Sequence, residues 1–180
     1  MPERKPVKTL SMRVLAGHHV PYEPLYYAVE DHLSASEVAH VLGIPPEQTF
    51  KTLVVLAEFP GARPILALVP GDSDLDLKKL AAASGEKKVQ MASQREAERL
   101  TGLEKGGISP LALLDRGFRI FVDETAILFD RIEISAGKVG YGVLVEVEGL
   151  LRVIHPVLAD ISRPAGGAGG LKGTGATAQG

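Results

Sequence analysis

The chain has 180 residues, of which 45% are hydrophobic and 23% charged, and its formal net charge at pH 7 is -2. This length fits one domain with a tail, and the apolar content is sufficient for a core. The sequence contains no cysteine, which excludes a disulfide framework, a thiolate metal site and a cysteine nucleophile. The near-neutral charge argues against a general nucleic-acid coat, which needs a strong basic excess.

The sequence predicts neither a membrane span nor a metal site. No apolar run approaches the ~20 residues of a membrane helix. The start, Met-Pro-Glu-Arg-Lys, is not followed by the apolar block of a secretory signal. The five histidines show no ligand spacing, such as two histidines four residues apart on one helix face. We therefore expect a cytoplasmic protein that needs no metal and no cofactor.

The first half of the chain predicts short helices and strands. Residues 1–8 are polar and proline-bearing, which predicts a flexible N-terminus. Ser34 and Glu37 have the spacing of a capping box, and Gly43 supplies a left-handed stop, so a helix is predicted over 35–42. The other predicted elements are a helix at 10–15 ended by Gly17, an extended segment at 22–29, strands at 50–56 and 65–69, and a helix at 77–83 between Asp76 and Gly85.

The second half mixes strands that meet as hairpins with short helices. Ser93 and Glu96 form a second capping box, which begins a helix ending at Thr101. Further predictions are strands at 89–91, 119–122, 127–129, 131–134 and 141–147, and a proline-broken helix over 150–161. Residues 163–180 are rich in Gly and Ala and have little to bury, so a disordered tail is predicted. The mixture indicates an α/β domain with a mixed, curled sheet rather than a doubly wound one.

Lys51 lies at the mouth of the most apolar predicted strand. An ammonium group is costly to bury unless it is paired. One interpretation is that Lys51 snorkels, with its stem on the core and its charge in water. The other is that the strand holds this cation at the rim of a pocket, where it meets an anion or a carbonyl.

The loop Gly106-Gly107-Ile108-Ser109-Pro110 has two interpretations as well. Its glycines expose consecutive backbone N–H groups, and the helix start predicted at Pro110 adds further unpaired N–H groups, so the loop could hold an oxyanion. It could equally be a tight structural turn. Similarly, Ser135-Ala136-Gly137-Lys138 is either a turn between two strands or a pocket wall with a hydroxyl. No nucleophile elbow is present, and Asp123 and Glu124 would point opposite ways in a strand, so a two-carboxylate mechanism has little support.

Taken in order, these segments resemble the YbaK/EbsC-type aminoacyl-tRNA editing domains. This family includes the free-standing Cys-tRNA(Pro) deacylases and the editing insert of prolyl-tRNA synthetase. The resemblance covers roughly residues 10–162 and predicts an editing domain over 9–162. It rests on the segments 43–48, 50–53, 75–80, 87–89, 100–102, 106–110 and 135–138. It implies a mixed, barrel-like central sheet flanked by short helices.

The resemblance also implies a chemistry, which is hydrolysis of the ester joining a wrong amino acid to its tRNA. Lys51 matches the essential lysine of the family, and the resemblance implies that it holds the acceptor-end adenosine and its phosphate. Gly106 matches the start of the loop that lines the aminoacyl pocket. The remaining expected substrate-binding residues are Tyr26 or Tyr27, Thr52, Gly107, Ile108, Ser109, Pro110, Ser135 and Gly137. Members of the family can carry an acid where this chain has Gly142.

We therefore expect a free-standing aminoacyl-tRNA deacylase that acts on a mischarged tRNA, with Cys-tRNA(Pro) as the leading substrate. An aminoacyl ester is already activated, so positioning and oxyanion stabilisation can suffice, and either water or the substrate's own thiol would attack. A synthetase such as prolyl-tRNA synthetase is the expected partner. The competing hypothesis is a non-catalytic module that keeps the pocket for a nucleotide end, a small ligand or a protein.

Overall fold

The computed structural model describes residues 6–29 and 33–166. The α-helices in this part are α1 (Leu10–Gly17), α2 (Ala35–Leu42), α3 (Leu77–Ser84), α4 (Gln94–Thr101) and α5 (Val147–Ile154). The strands are β1 (Tyr22–Tyr26), β2 (Phe50–Ala57), β3 (Ile65–Pro70), β4 (Ser73–Leu75), β5 (Val89–Met91), β6 (Arg119–Asp123), β7 (Arg131–Lys138), β8 (Tyr141–Glu146), β9 (Val157–Ala159) and β10 (Ser162–Pro164). Short 3-10 helices cover Pro46–Gln48, Pro110–Ala112 and Glu124–Leu128.

The local signals at the helix ends act as predicted. Both capping boxes are formed, with the Ser34 and Ser93 hydroxyls accepting the N–H groups of Glu37 and Glu96, respectively. The Asp76 carboxylate caps α3 in the same way. Left-handed glycines end α2, α3 and α4, a conformation that glycine adopts without a steric penalty.

The strands of the described chain form three sheets. The largest has the order β5-β2-β3-β6-β9, with antiparallel pairing among the first three strands and parallel pairing from β3 to β9. The second is an antiparallel sheet, β1-β8-β7, and the third pairs β10 with β4. The mixed α/β class is therefore confirmed. The sheet does not close into a barrel: a single parallel bridge between Thr49 and Glu133 joins the two larger sheets.

Strand β3 lies at the centre of the protein, which explains its unbroken apolar sequence. All six of its residues are buried. Leu66 and Leu68 enter the core cluster beneath the three-stranded sheet, while the alternate residues Ile65, Ala67 and Val69 enter a second cluster against α3. A strand covered on both faces has no polar positions to alternate with apolar ones.

Two predicted elements are wrong in type. Residues 127–129 are not a strand, because a 3-10 helix begins after Asp123, whose carboxylate accepts the N–H and the hydroxyl of Thr125. Residues 150–161 are not one broken helix. Helix α5 begins earlier, at Val147, and ends where His155 takes a left-handed conformation, after which the chain enters β9.

Strand β10 extends into the segment that the sequence predicts as the tail. Strand β10 runs to Pro164, two residues past the predicted boundary at 162, because Arg163 and Pro164 pair with β4. The rest of the predicted tail, residues 167–180, and the first five residues of the predicted N-terminal segment lie outside the described residues. Among the helices described, none has the length and apolar character to cross a membrane.

Candidate functional site

A cavity of about 550 Å³ opens along one edge of β2. Strand β5 pairs only with the last three residues of β2, and the bridge at Thr49 precedes its first residue. Within the described chain, the edge of β2 from Phe50 to Leu53 therefore faces the cavity rather than another strand. The walls are completed by the first turns of α2 and α4, the loop at Gly106 and the outer face of β7.

The cavity brings together six of the eleven residues that the sequence predicted for the site. These are Tyr27, Lys51, Thr52, Gly106, Ile108 and Ser135. They come from four separate parts of the chain. The other five residues support the cavity or lie beside it.

Lys51 is half-buried on the cavity wall. Burial lowers the pKa of its ammonium group, and the charges of Asp74 and Asp72 act against this effect. No carboxylate of the described residues forms a salt bridge with it, in contrast to Lys79, which pairs with Asp160. Lys51 therefore presents a cation at the cavity that can meet an anion.

Thr52 points to the same side of β2 as the buried side chains of Phe50 and Val54, because alternate residues of a strand share a face. Its hydroxyl is buried and has no hydrogen-bond partner in the described structure. A buried hydroxyl without a partner is costly, so its position on a cavity wall indicates a polar group supplied by a ligand.

The glycine loop reaches the cavity only in part. Gly106 and Ile108 line the wall, and Gly106 has a left-handed φ of 83°. Gly107 does not line it, and its N–H donates to the carbonyl of Glu104 at 2.8 Å. A Cβ at Gly107 would approach the backbone of the 138–139 turn to 3.0 Å, so this glycine permits close packing of the two loops.

The predicted helix start at Pro110 does not supply N–H groups to the cavity. Ser109 and Pro110 are buried away from it, and the Ser109 hydroxyl accepts both the N–H of Leu111 and the hydroxyl of Ser11. Three N–H groups of this loop, those of Gly106, Ile108 and Ser109, have no acceptor among the described residues, and of these three residues Gly106 and Ile108 line the cavity. An oxyanion contact would have to come from these two.

The segment Ser135 to Lys138 is both a turn and a pocket wall. Ser135 lines the cavity, and its hydroxyl accepts the N–H of Gly137, whose φ of 89° belongs to the bulge that leads into β8. Gly137 itself faces α1, since a Cβ there would meet the hydroxyl of Ser11 at 3.1 Å.

Of the two tyrosines predicted for the site, Tyr27 is the one that lines the cavity. Tyr27 is 9% exposed and lines the wall. Tyr26 instead packs edge-on against Tyr141, with ring centroids 5.3 Å apart. Tyr26 is the last residue of β1 and pairs with Tyr141 of β8, whereas Tyr27 follows the strand, where the chain turns towards the cavity.

Glu133 lines the cavity and was not predicted. Its side chain is 3% exposed, and burial raises the pKa of its carboxyl to about 8. Period-two alternation along β7 places Glu133 on the same face as Ser135, while Ile132 and Ile134 enter the core. That alternation was the signal available in the sequence.

The site thus consists of a cation, a buried hydroxyl, backbone N–H groups and a protonatable carboxyl around one cavity. Among the described residues, no group of three His, Asp or Glu side chains could hold a metal ion. Fold and site together define a mixed α/β protein with a pocket that can bind a small ligand bearing an anionic group.

Comparison with known proteins identifies the family. The model of the aminoacyl-tRNA editing domain matches residues 29–153. The chain is 41% identical over 156 residues to the Enterococcus faecalis protein EbsC, described as a Cys-tRNA(Pro)/Cys-tRNA(Cys) deacylase, covering 86% of this chain and 93% of EbsC. It is 28% identical over 130 residues to the Ser/Thr-tRNA deacylase ProXp-y of Escherichia coli, covering 71% and 77% of the two chains. The chain therefore belongs to the aminoacyl-tRNA editing domain family.

Other relatives place this domain in larger proteins. The chain is 40% identical over 80 residues to the proline–tRNA ligase of Geobacter metallireducens, covering 44% of this chain and 14% of the ligase.

Among solved structures, a trans-editing enzyme for prolyl tRNA synthetase aligns with a TM-score of 0.69 and 24% identity, covering 89% and 99% of the two chains. The structure of the hypothetical protein APE2540 aligns with a TM-score of 0.76 and 22% identity over 86% and 99%. These structural likenesses confirm the fold.

Proposed function

We propose that this protein is a trans-editing aminoacyl-tRNA deacylase that cleaves the ester of a mischarged tRNA. The observation that carries the proposal is the convergence of Lys51, Thr52 and Gly106 on one cavity in a chain of the editing family. Similarity over 93% of EbsC supports an enzyme that acts in trans on tRNA already released from its synthetase.

Lys51 binds the acceptor end in this proposal. In the described structure this ammonium group forms no salt bridge and interacts only with the charges of Asp74 and Asp72 beyond salt-bridge distance, so it can attract the phosphate of the terminal adenosine. The apolar part of the cavity then surrounds the amino-acid side chain. Holding the ester at both ends orients its carbonyl, and orientation alone supplies a large part of the barrier reduction for an activated ester.

The N–H groups of Gly106 and Ile108 stabilise the charge that develops on the carbonyl oxygen. Water adds to the carbonyl carbon, and the bond from that carbon to the ribose oxygen then breaks. The amino acid leaves as its carboxylate, and the ribose oxygen takes a proton. No nucleophilic side chain is required. A cysteinyl substrate can instead attack with its own thiol, which expels the same ribose oxygen and forms a cyclic thioester.

Cys-tRNA(Pro) is the first substrate we propose, because EbsC is described as acting on it. The match to ProXp-y makes seryl and threonyl esters the second set. Prolyl-tRNA synthetase is the proposed partner for tRNA selection, since its own sequence contains a related segment. A compact chain with a net charge of -2 is suited to reading the aminoacyl-adenosine end rather than a large tRNA surface.

The test incubates purified protein with tRNA(Pro) and tRNA(Cys) carrying cysteine, alanine, serine or threonine, and follows the release of the amino acid. Lys51→Ala is tested beside the wild type, with Lys88→Ala as the control because Lys88 is an exposed lysine paired with Glu58. We expect hydrolysis by the wild type and by the control, and a loss of about a hundredfold or more in Lys51→Ala, in line with removal of a charged substrate contact. If the wild type hydrolyses no member of the panel, the deacylase proposal fails. Ligand-induced stabilisation without turnover would then favour a binding module.

A further inference from the structure

The carboxyl group of Glu133 has no role in the mechanism described so far. It lies on the cavity wall, is 3% exposed, and forms no hydrogen bond or salt bridge with any described residue. Burial is the sole influence found on its pKa, which is raised to about 8. A buried carboxyl of this kind is costly unless a partner arrives.

The neighbouring strand is shaped to accept this carboxyl. Gly142 lies on β8, opposite Ser135 and diagonal to Glu133. A Cβ atom at Gly142 would collide with Oε1 of Glu133 and would lie 3.4 Å from the carbonyl oxygen of Ile134. The absence of a side chain at this glycine therefore creates the space in which the carboxyl lies.

The other carboxylates on the cavity wall already have partners. Glu37 accepts the N–H of Ser34 in the capping box of α2. Glu98 accepts the N–H of Lys105, another residue of the cavity wall. Of the acids on the described wall, Glu133 is the one that remains available to a ligand.

We propose that Glu133 binds the α-ammonium group of the aminoacyl moiety and so selects esters with a free amino group. The inference rests on the proposed function, because an aminoacyl ester carries this cation on the carbon next to its reacting carbonyl. Lys51 cannot serve it, since like charges repel. A carboxyl on one wall and an ammonium on another match a substrate that is cationic at the amino acid and anionic at the phosphate.

Binding of the substrate ammonium group would shift the protonation equilibrium of the Glu133 carboxyl. The unpaired carboxyl holds its proton because the anion is poorly solvated in the cavity. An adjacent ammonium group favours the ionised carboxylate of Glu133. The substrate therefore supplies the cationic partner of an ion pair for which the described protein provides only the carboxyl. Glutamine at this position keeps the shape and a carbonyl oxygen but cannot carry the negative charge.

The experiment compares an aminoacyl-tRNA that the wild type hydrolyses with its α-hydroxy counterpart, in which a hydroxyl replaces the ammonium at nearly the same size. The kcat/KM values for both are measured for the wild type, Glu133→Gln and the exposed control Glu47→Gln, with spontaneous hydrolysis subtracted. Glu47 is exposed in a 3-10 helix and does not line the cavity. We expect wild type and control to prefer the amino ester, and Glu133→Gln to reduce this preference by roughly ten- to a hundredfold, as for loss of a charged hydrogen bond.

An equal loss on both esters would overturn the inference, because it would show that Glu133 only supports the structure. So would an unchanged preference. Gly142→Ala gives a second measurement, since its methyl group displaces the carboxyl without removing the charge. It should reduce the preference in the same direction, and a full preference in this variant would count against the inference. If the wild type hydrolyses neither ester, the proposed function itself fails, which is a distinct result.

Discussion

Replacement of Glu133 by glutamine should change how the stability of the protein depends on pH. Burial raises the pKa of this carboxyl from its ordinary value of 4.5 to about 8. The folded protein therefore binds a proton more tightly than the unfolded chain does between these two values. Its free energy of unfolding falls as the pH rises through this window, and the loss is complete above about pH 8. Glutamine has no proton to lose, so the variant lacks this decline.

The size of the effect follows from the two pKa values. Each pH unit between them corresponds to about 1.36 kcal/mol, so the ionised carboxylate lowers the free energy of unfolding by roughly 5 kcal/mol above pH 8 and by about 3 kcal/mol at pH 7. This is a large part of the 5–15 kcal/mol that roughly bounds the stability of folded domains. Relative to the wild type, the variant should gain stability steadily from about pH 5 to pH 8.

The assay is urea unfolding followed by circular dichroism, since the chain contains no tryptophan. Wild type, Glu133→Gln and Glu47→Gln are each unfolded at several pH values between about 5 and 9. Ionisations that the proteins share cancel in the difference between wild type and variant. The Glu47 variant should track the wild type because its side chain is exposed. A difference for Glu133→Gln that stays constant within about 1 kcal/mol over this range would refute the electrostatic reasoning.

Three further substitutions test other parts of the site and its support. Thr52→Val removes a buried hydroxyl that has no partner in the described structure. The free energy of unfolding should therefore rise by up to about 1 kcal/mol, while deacylation slows. A lower melting temperature would contradict this expectation. Lys51→Met removes a cation whose pKa burial lowers, so thermal unfolding should occur at no lower temperature than in the wild type although activity is lost. Asp123→Ala removes a buried carboxylate that accepts hydrogen bonds from two backbone N–H groups and a threonine hydroxyl. Urea unfolding should show that this variant loses roughly 2–4 kcal/mol of its free energy of unfolding. The control Asp115→Ala should lose little, because Asp115 is exposed.

Elements governed by neighbouring residues could be predicted from the sequence. The capping boxes at Ser34 and Ser93 and the glycine after each of α2, α3 and α4 act over three or four residues, so their outcome does not depend on the rest of the fold. The two wrong elements lie where longer contacts decide. The 3-10 helix after Asp123 depends on a carboxylate that also holds the N–H of Ile161, far along the chain.

The candidate site also combines features that the sequence predicts with features that depend on contacts between distant segments. The ordered motifs identified the family, and four of the residues that they named line the cavity in the structure: Lys51, Thr52, Gly106 and Ser135. The same motifs led to the prediction of Ser109 and Pro110 as site residues, because these two loop residues follow the glycines in sequence. Sequence spacing cannot reveal that Ser109 turns towards α1 and bonds Ser11.

The sequence by itself determined the positions of most short helices and strands, the mixed α/β class and the chemistry of the family, because these follow from local hydrogen bonding, apolar periodicity and ordered motifs. The tertiary structure decided which side of each strand meets the cavity. It selected Tyr27 over Tyr26, left one edge of β2 open between β5 and the Thr49–Glu133 bridge, and set Glu133 into the space that Gly142 provides. Those outcomes depend on strands that are distant in sequence, so burial and partner geometry exist only once the sheets have packed.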